Sequence, residues 1–194
     1  MPQIPRIGVL AIQGDYAAHA RAIIDLGATP VEIRKSEQLA SIDALILPGG
    51  ESTTMLKFLE KHFFFDELKK FCAAHPVFGT CAGAILLARE VLNPPQRSLG
   101  LLDAVVERNA YGRQIDSAIL TAETALPGGP LEMVFIRAPR ITSTGPAVEV
   151  LAQRDGFPVL VRQGHILAAT FHPELSQDHR VHKLFLQSLP LRAT

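Results

Sequence analysis

Short apolar runs that stop at glycine-rich loops constrain this chain more than any other feature. Residues 7–12 (IGVLAI) end at Gln13-Gly14, residues 44–47 (ALIL) at Pro48-Gly49-Gly50-Glu51-Ser52, and residues 77–80 (VFGT) at Cys81-Ala82-Gly83. Runs this short and this uniformly apolar suit strands buried on both faces of a parallel sheet, whose members are joined by crossover helices. The intervening segments supply such helices. Ala20, Ile23, Ile24 and Gly27 recur at i, i+3, i+4 and i+7, predicting one apolar face. Phe64, Leu68, Phe71 and Cys72 share a second face, with Asp66, Glu67, Lys69 and Lys70 turned away, and residues 82–92 are rich in Ala and Leu, which favour helix. Residues 31–33 read as a further strand. Past residue 102 short β-like runs dominate (104–107, 118–122, 133–136, 148–152, 158–161 and 166–170), and Val181, Leu184, Phe185 and Leu189 predict an amphipathic C-terminal helix. The expected fold is α/β, a central, mostly parallel sheet with helices on both faces. Ligands of such sheets bind outside the carboxyl ends of the strands, so the three glycine-rich loops are expected to converge on one site.

The 194 residues carry no internal repeat or linker and favour a single domain, 1–194, with a sizeable core. Nineteen Lys and Arg balance nineteen Asp and Glu, so no net field favours nucleic acid or an anionic membrane. No stretch approaches the roughly 18 apolar residues of a membrane span, and the apolar run at 7–12 is too short for a secretory signal. Cys72 and Cys81 form neither a disulfide framework nor a CxxC site, which makes a cytoplasmic protein with reduced thiols the expectation.

Gly79-Thr80-Cys81-Ala82-Gly83 has the form G-x-C-x-G between a strand and a helix, the cysteine version of a nucleophile elbow. Glycine two residues to either side lets the chain turn sharply, so that the thiol stands above the sheet. A helix N-terminus beneath it favours the thiolate, and the Ala82 N–H becomes a candidate oxyanion donor. Cys72, on the apolar face of a helix, is read as a plain core residue.

A cysteine nucleophile needs a base, and the base an orienting group. Phe171-His172-Pro173-Glu174 follows the run at 166–170. In an extended chain residues i and i+2 point the same way, about 6.6 Å apart. Pro173 pushes His172 toward that conformation, so Glu174 is expected to hold one ring nitrogen of His172 while the other faces Cys81. His165, His179 and His182 match no familiar ligand spacing, so no metal is expected, and His179 and His182 are expected on the exposed side of the last helix.

These residues resemble a known family. G-T-C-A-G with F-H-P-E is similar to the class I (triad) glutamine amidotransferases, whose flavodoxin-like fold the resemblance implies. The strings LPGGESTT (47–54), VERNAYGRQIDS (106–117), FIRAP (135–139) and FHPELSQDHRVH (171–182) narrow it to the glutaminase subunit of the two-component pyridoxal 5'-phosphate synthase, the PdxT/SNO family. Tyr111, Ala118 and the loop at 93–98 depart from it. The resemblance implies that L-glutamine is hydrolysed through a glutamyl thioester and that the ammonia passes to a separate synthase subunit. That subunit would make pyridoxal 5'-phosphate from ribose 5-phosphate and glyceraldehyde 3-phosphate. No cofactor is expected in the glutaminase itself. By resemblance Gly50 supplies the second oxyanion N–H, and Ser52, Ile136 and Arg137 line the substrate pocket. Glutamine is a zwitterion; Glu51 is the candidate for its ammonium and Arg108 for its carboxylate. Gln13 resembles a residue at the partner interface, with His19 expected on the same exposed face of the first helix. Two other readings stay open: a glutaminase or γ-glutamyl hydrolase serving a different acceptor, and a non-catalytic thiol sensor or binding module. The sensor has no use for a His172-Glu174 pair.

Overall fold

The computed structural model describes residues 4–110 and 117–190. β1 (Arg6–Leu10) leads through α1 (Tyr16–Asp25) to β2 (Thr29–Ile33); β3 (Ala44–Leu47), α2 (Ser52–Lys61), α3 (Phe65–Ala74), β4 (Val77–Thr80) and the short α4 (Ala82–Leu87) follow. Then come β5 (Ala88–Leu92), β6 (Leu102–Glu107), β7 (Ala118–Ala122), β8 (Leu131–Phe135), β9 (Arg140–Thr144), β10 (Glu149–Arg154), β11 (Phe157–Gln163), β12 (Ile166–Ala169) and α5 (Arg180–Gln187).

Seven strands form the main sheet in the order β10-β11-β12-β4-β3-β1-β2. From β12 to β2 every neighbour is parallel, while β10 and β11 pair antiparallel. The strand order reverses at β1, which has β2 on one side and β3 on the other, and such a switch opens a crevice at the carboxyl ends. Alternation along each strand sorts side chains between two cores. Leu45 and Leu47 pack with Met55, Leu59, Leu68 and Leu87 beneath α2, α3 and α4, while Ala44 and Ile46 pack with Ile7, Ile23, Val181 and Phe185 beneath α1 and α5. Gly8 faces the first core at a point where a Cβ would strike the Ile42 side chain and lie 2.9 Å from Ile33 Cγ1. The hairpin β7-β8 adds Leu131, Met133 and Phe135 to the second core, and β5-β6-β9 forms a separate sheet. Among the described residues no helix is long and apolar enough to cross a membrane.

Several sequence expectations are corrected here. The helix expected over 82–92 stops at Leu87, because residues 88–92 pair with β6 as β5 and the carbonyls of Leu86 and Leu87 accept from the N–H groups of Leu99 and Leu101. Helical propensity loses there to non-local strand pairing. On α1 the buried face is Ala18, His19, Ala22 and Ile23; Ile24 is exposed, and Gly27 lies past the helix end at φ +80°. The segment after Gly50 holds two helices, broken at Phe63, whose φ is +53°. β9 is a strand that its mostly polar sequence, RITST, does not announce. Tyr111, with residues 112–116 of the family-like string, lies outside the described residues.

Candidate active site

The elbow is sharper than a simple turn. Cys81 has φ +48° and ψ −103°, a conformation that costs about 1–3 kcal/mol for a non-glycine residue. Hydrogen bonds hold it there: Cys81 N–H donates to the Ala169 carbonyl of β12 at 2.9 Å, and the Cys81 carbonyl accepts from Ile85 N–H at 3.2 Å. Both flanking glycines are sterically required. A Cβ on Gly79 would lie 2.7 Å from the Gly83 carbonyl carbon, and one on Gly83 would collide with the Leu47 carbonyl oxygen at the end of β3. The same packing that strains Cys81 therefore ties β4, α4 and β3 together.

His172 and Glu174 reach the elbow from β12. Pairing of β12 ends at Ala169, His172 N–H donates to the Val134 carbonyl of β8 at 2.8 Å, and residues 173–175 form one 3-10 turn opened by Pro173. This corrects the extended His172-Pro173-Glu174 geometry expected from sequence: the turn folds Glu174 back on its neighbour. His172 Nδ1 donates to Glu174 Oε1 at 2.7 Å, both side chains being buried. The other side of the ring faces Cys81. Burial pulls the His172 pKa down, but hydrogen bonds to Cys81 and Glu174 outweigh it and lift the pKa to about 10, so the ring is held as an imidazolium near neutral pH. Cys72 lacks all of this; it lies in the first core, where burial alone pushes its thiol up.

Gly49 lies flat against the pair. A Cβ there would fall 2.5 Å from His172 Cε1 and 3.4 Å from Cys81 Cβ. Gly50 has φ +134°, and Gln13 packs on it while its Nε2 donates to the Glu51 carbonyl. Glu51 caps α2: its carboxylate accepts from Thr53 N–H at 3.1 Å, Thr54 N–H at 2.7 Å and the Thr54 hydroxyl at 2.8 Å. Partial burial opposes its ionisation, but these bonds prevail and lower its pKa to about 2. Arg108, just past β6, lies 3.4 Å from Glu51 Oε1 and donates to Thr53 Oγ1 at 2.8 Å. The two candidate ends of a zwitterion clamp are thus paired with each other.

A cavity of about 270 Å³ opens over Cys81 and His172. The sequence-selected Gly50, Glu51, Ser52, Arg108, Ile136 and Arg137 all line it, and Arg137 stands at φ +43° at its rim. Ala82 is fully buried and does not line the cavity, and Gln13 packs against Gly50 without lining it either. Asp15, Ile85 and Asn109 also line the cavity and were missed by sequence reasoning. The signals were adjacency to the strand-end loop for Asp15 and Asn109, and helical spacing of i+4 from Cys81 for Ile85. An Asp15 oxygen, a His172 nitrogen and a Glu174 oxygen lie within 4.8 Å of one another. Because His172 and Glu174 already share a hydrogen bond, Asp15 extends the polar lining of the pair toward the cavity. Two other expectations fail. His182 and His19, taken as exposed, are fully buried, because α1 and α5 turn them toward each other under the sheet.

Comparison with known proteins follows the same geometry. The model of the SNO glutamine amidotransferase family matches residues 9–190. Relatives include the pyridoxal 5'-phosphate synthase subunit PdxT of Koribacter versatilis, 63% identical over 182 residues and covering 94% of each chain. The PdxT subunit of Solibacter usitatus is 55% identical, covering 95% of this chain and 99% of that one. A crystal structure of a glutamine amidotransferase has a TM-score of 0.87 at 48% identity, covering 94% of this chain and 97% of that one. A chain of PurLQS from Thermotoga maritima, at 15% identity and a TM-score of 0.67, shares the fold, with 95% of this chain and 99% of that one covered.

Proposed function

Since the chain belongs to the SNO glutamine amidotransferase family, we propose that it hydrolyses L-glutamine with Cys81, His172 and Glu174 as its triad and delivers the ammonia to a separate pyridoxal 5'-phosphate synthase subunit. The observation that carries the reading is the meeting of a strained elbow cysteine with a histidine whose far nitrogen is held by a buried carboxylate at 2.7 Å.

The thiolate of Cys81 attacks the side-chain amide carbon, and the N–H groups of Ala82 and Gly50 receive the oxyanion. Loss of one such donor typically costs about 10²–10³ in rate. The His172 imidazolium protonates the nitrogen, which departs as ammonia as the carbon–nitrogen bond breaks and a glutamyl thioester stays on Cys81. Neutral His172 then takes a proton from the water that attacks the thioester; collapse of the adduct expels the Cys81 thiolate, releases glutamate and restores the thiolate–imidazolium pair. Glu174 keeps Nδ1 protonated and the ring aimed at Cys81 through both steps. In this reading Glu51 and Arg108, released from each other, take the ammonium and carboxylate of glutamine, and their lining of one cavity with Ser52, Ile136 and Arg137 supports it.

Gln13 grips the Gly50-Glu51 loop from the side the resemblance gives to the partner, so docking that moves Gln13 also moves an oxyanion donor. Buried, non-disulfide Cys72 and Cys81 support a cytoplasmic setting. The test measures glutamate release by the pure chain and again with increasing synthase subunit. Slow hydrolysis that rises steeply on complex formation is expected; no glutamine hydrolysis in the complex would end the reading.

A further inference from the structure

Behind the triad lies a buried row of polar side chains that the chemistry above does not use. Glu174 commits Oε1 to His172; its Oε2 is buried and makes no well-aligned hydrogen bond. Beside that oxygen, at 3.4 Å, sits Nε2 of His19, from the buried face of α1. The same Nε2 is 3.1 Å from Oγ1 of Thr80, the residue that precedes Cys81. His19 Nδ1 is 2.9 Å from His182 Nε2 on α5, and Phe78 closes the row edge-on against both rings. His19, Thr80 and His182 are all buried. A carboxylate oxygen left unpaired at this depth is costly, so the groups facing it decide whether Glu174 keeps its charge and its place.

We propose that His19 is a positioning residue of the glutaminase reaction: its Nε2–H secures the second oxygen of Glu174 and so holds His172 in line with Cys81. The inference rests on the triad reading. Burial first, then repulsion by His182 and His172, keeps His19 well below the usual histidine range, so the ring is neutral and has one N–H to place. With that hydrogen on Nδ1, a bare nitrogen lone pair would face the carboxylate. With it on Nε2, the ring donates to Thr80 Oγ1 at 3.1 Å with its positive edge also 3.4 Å from Glu174 Oε2, and Nδ1 accepts from His182 Nε2–H. The second tautomer leaves His182 Nδ1 without a hydrogen, consistent with that buried atom making no hydrogen bond. The other titratable groups around the row are Asp15 and His172 on the cavity side, and His179, 3.9 Å from Asp25, beyond His182. The loose 3.4 Å contact is of the kind that tightens once charge develops on the base.

The experiment assays glutamate release by the complex with the synthase subunit. His19→Ala should lower kcat by about 10- to 100-fold, the range typical of outer groups that orient a functional side chain, with KM within about twofold. The basic limb of its kcat/KM profile should move to lower pH, because a slackened Glu174 supports the imidazolium less. His19→Gln, which keeps an N–H near the Nε2 position, should recover most of kcat, and His19→Leu should not. Wild-type kcat and pH profile in His19→Ala, or equal recovery by Leu and Gln, would overturn the proposal and leave the triad standing. An active Cys81→Ala in the same assay would remove both. Should the variants fail to fold, nitrogen-15 spectra of the unaltered chain decide: a neutral His19 protonated at Nε2 is expected near neutral pH, and protonation at Nδ1 refutes the assignment.

Discussion

Gly83→Ala tests the mechanics of the elbow without touching any reacting group. A methyl there would meet the Leu47 carbonyl, its carbon lying 2.8 Å away. Carbon atoms pack best at about 3.5–4.0 Å, so α4 and the end of β3 must part by roughly 0.7 Å or more. Neither side yields cheaply, since Leu47 is paired to Gly79 in the sheet and Gly83 belongs to a fully buried helix. Overpacking of this sort costs about 1–3 kcal/mol of stability. The activity cost is larger, because the displaced elements carry Cys81 on one side and Gly49-Gly50 on the other. A misplacement near 1 Å costs about 10²-fold in rate. Gly100→Ala is the control: its φ is +69° but its Cβ would meet nothing within 4 Å, so it incurs only the left-handed strain of about 1–2 kcal/mol. Urea unfolding and glutamate release in the complex should show both variants destabilised and Gly83→Ala alone slowed. Wild-type turnover in a folded Gly83→Ala would refute the claim that this contact sets the position of the nucleophile.

Other outcomes follow from the same site. His172→Ala should be nearly as damaging as Cys81→Ala in steady-state turnover, with Glu174→Ala milder, since orienters can cost less than nucleophile or base; full activity in His172→Ala would remove it as the base. The folded His172 pKa of about 10 lies above the ordinary 6.5, so its stabilising contribution is complete below about pH 6.5 and lost as pH rises through about 10. Denaturation midpoints should therefore fall across that window more steeply for the wild type than for His172→Gln. Reversing charge at Arg108 or Glu51 should damage glutamine use more than alkylation of Cys81 by a reagent lacking an amino-acid head. Thermal unfolding separates the extra loss of about 1 kcal/mol that Glu51 brings as the cap of α2; unchanged glutamine kinetics in both would end the clamp.

The central parallel strands and the elbow were legible because each is written locally, in short, largely apolar runs and in glycines at fixed offsets from Cys81. Glycine loops at strand ends likewise marked where the cavity forms. What stayed hidden depends on distant segments. The end of α4 is decided by β6, which captures residues 88–92 as a strand. The burial of His182 depends on His19, 163 residues away, and nothing in the spacing of α5 distinguishes a buried histidine from an exposed one. The pairing of Glu51 with Arg108 joins an N-cap to a residue 57 positions on, again outside any local pattern.

The central claim is tested most directly by glutamate release from L-glutamine in the synthase complex, measured for Cys81→Ala against Cys72→Ala. Cys81 sits at φ +48° over the cavity, while Cys72 is sealed in the core with its thiol pushed up by burial. The account predicts that release is abolished in Cys81→Ala and largely retained in Cys72→Ala; equal losses in two folded variants would contradict it.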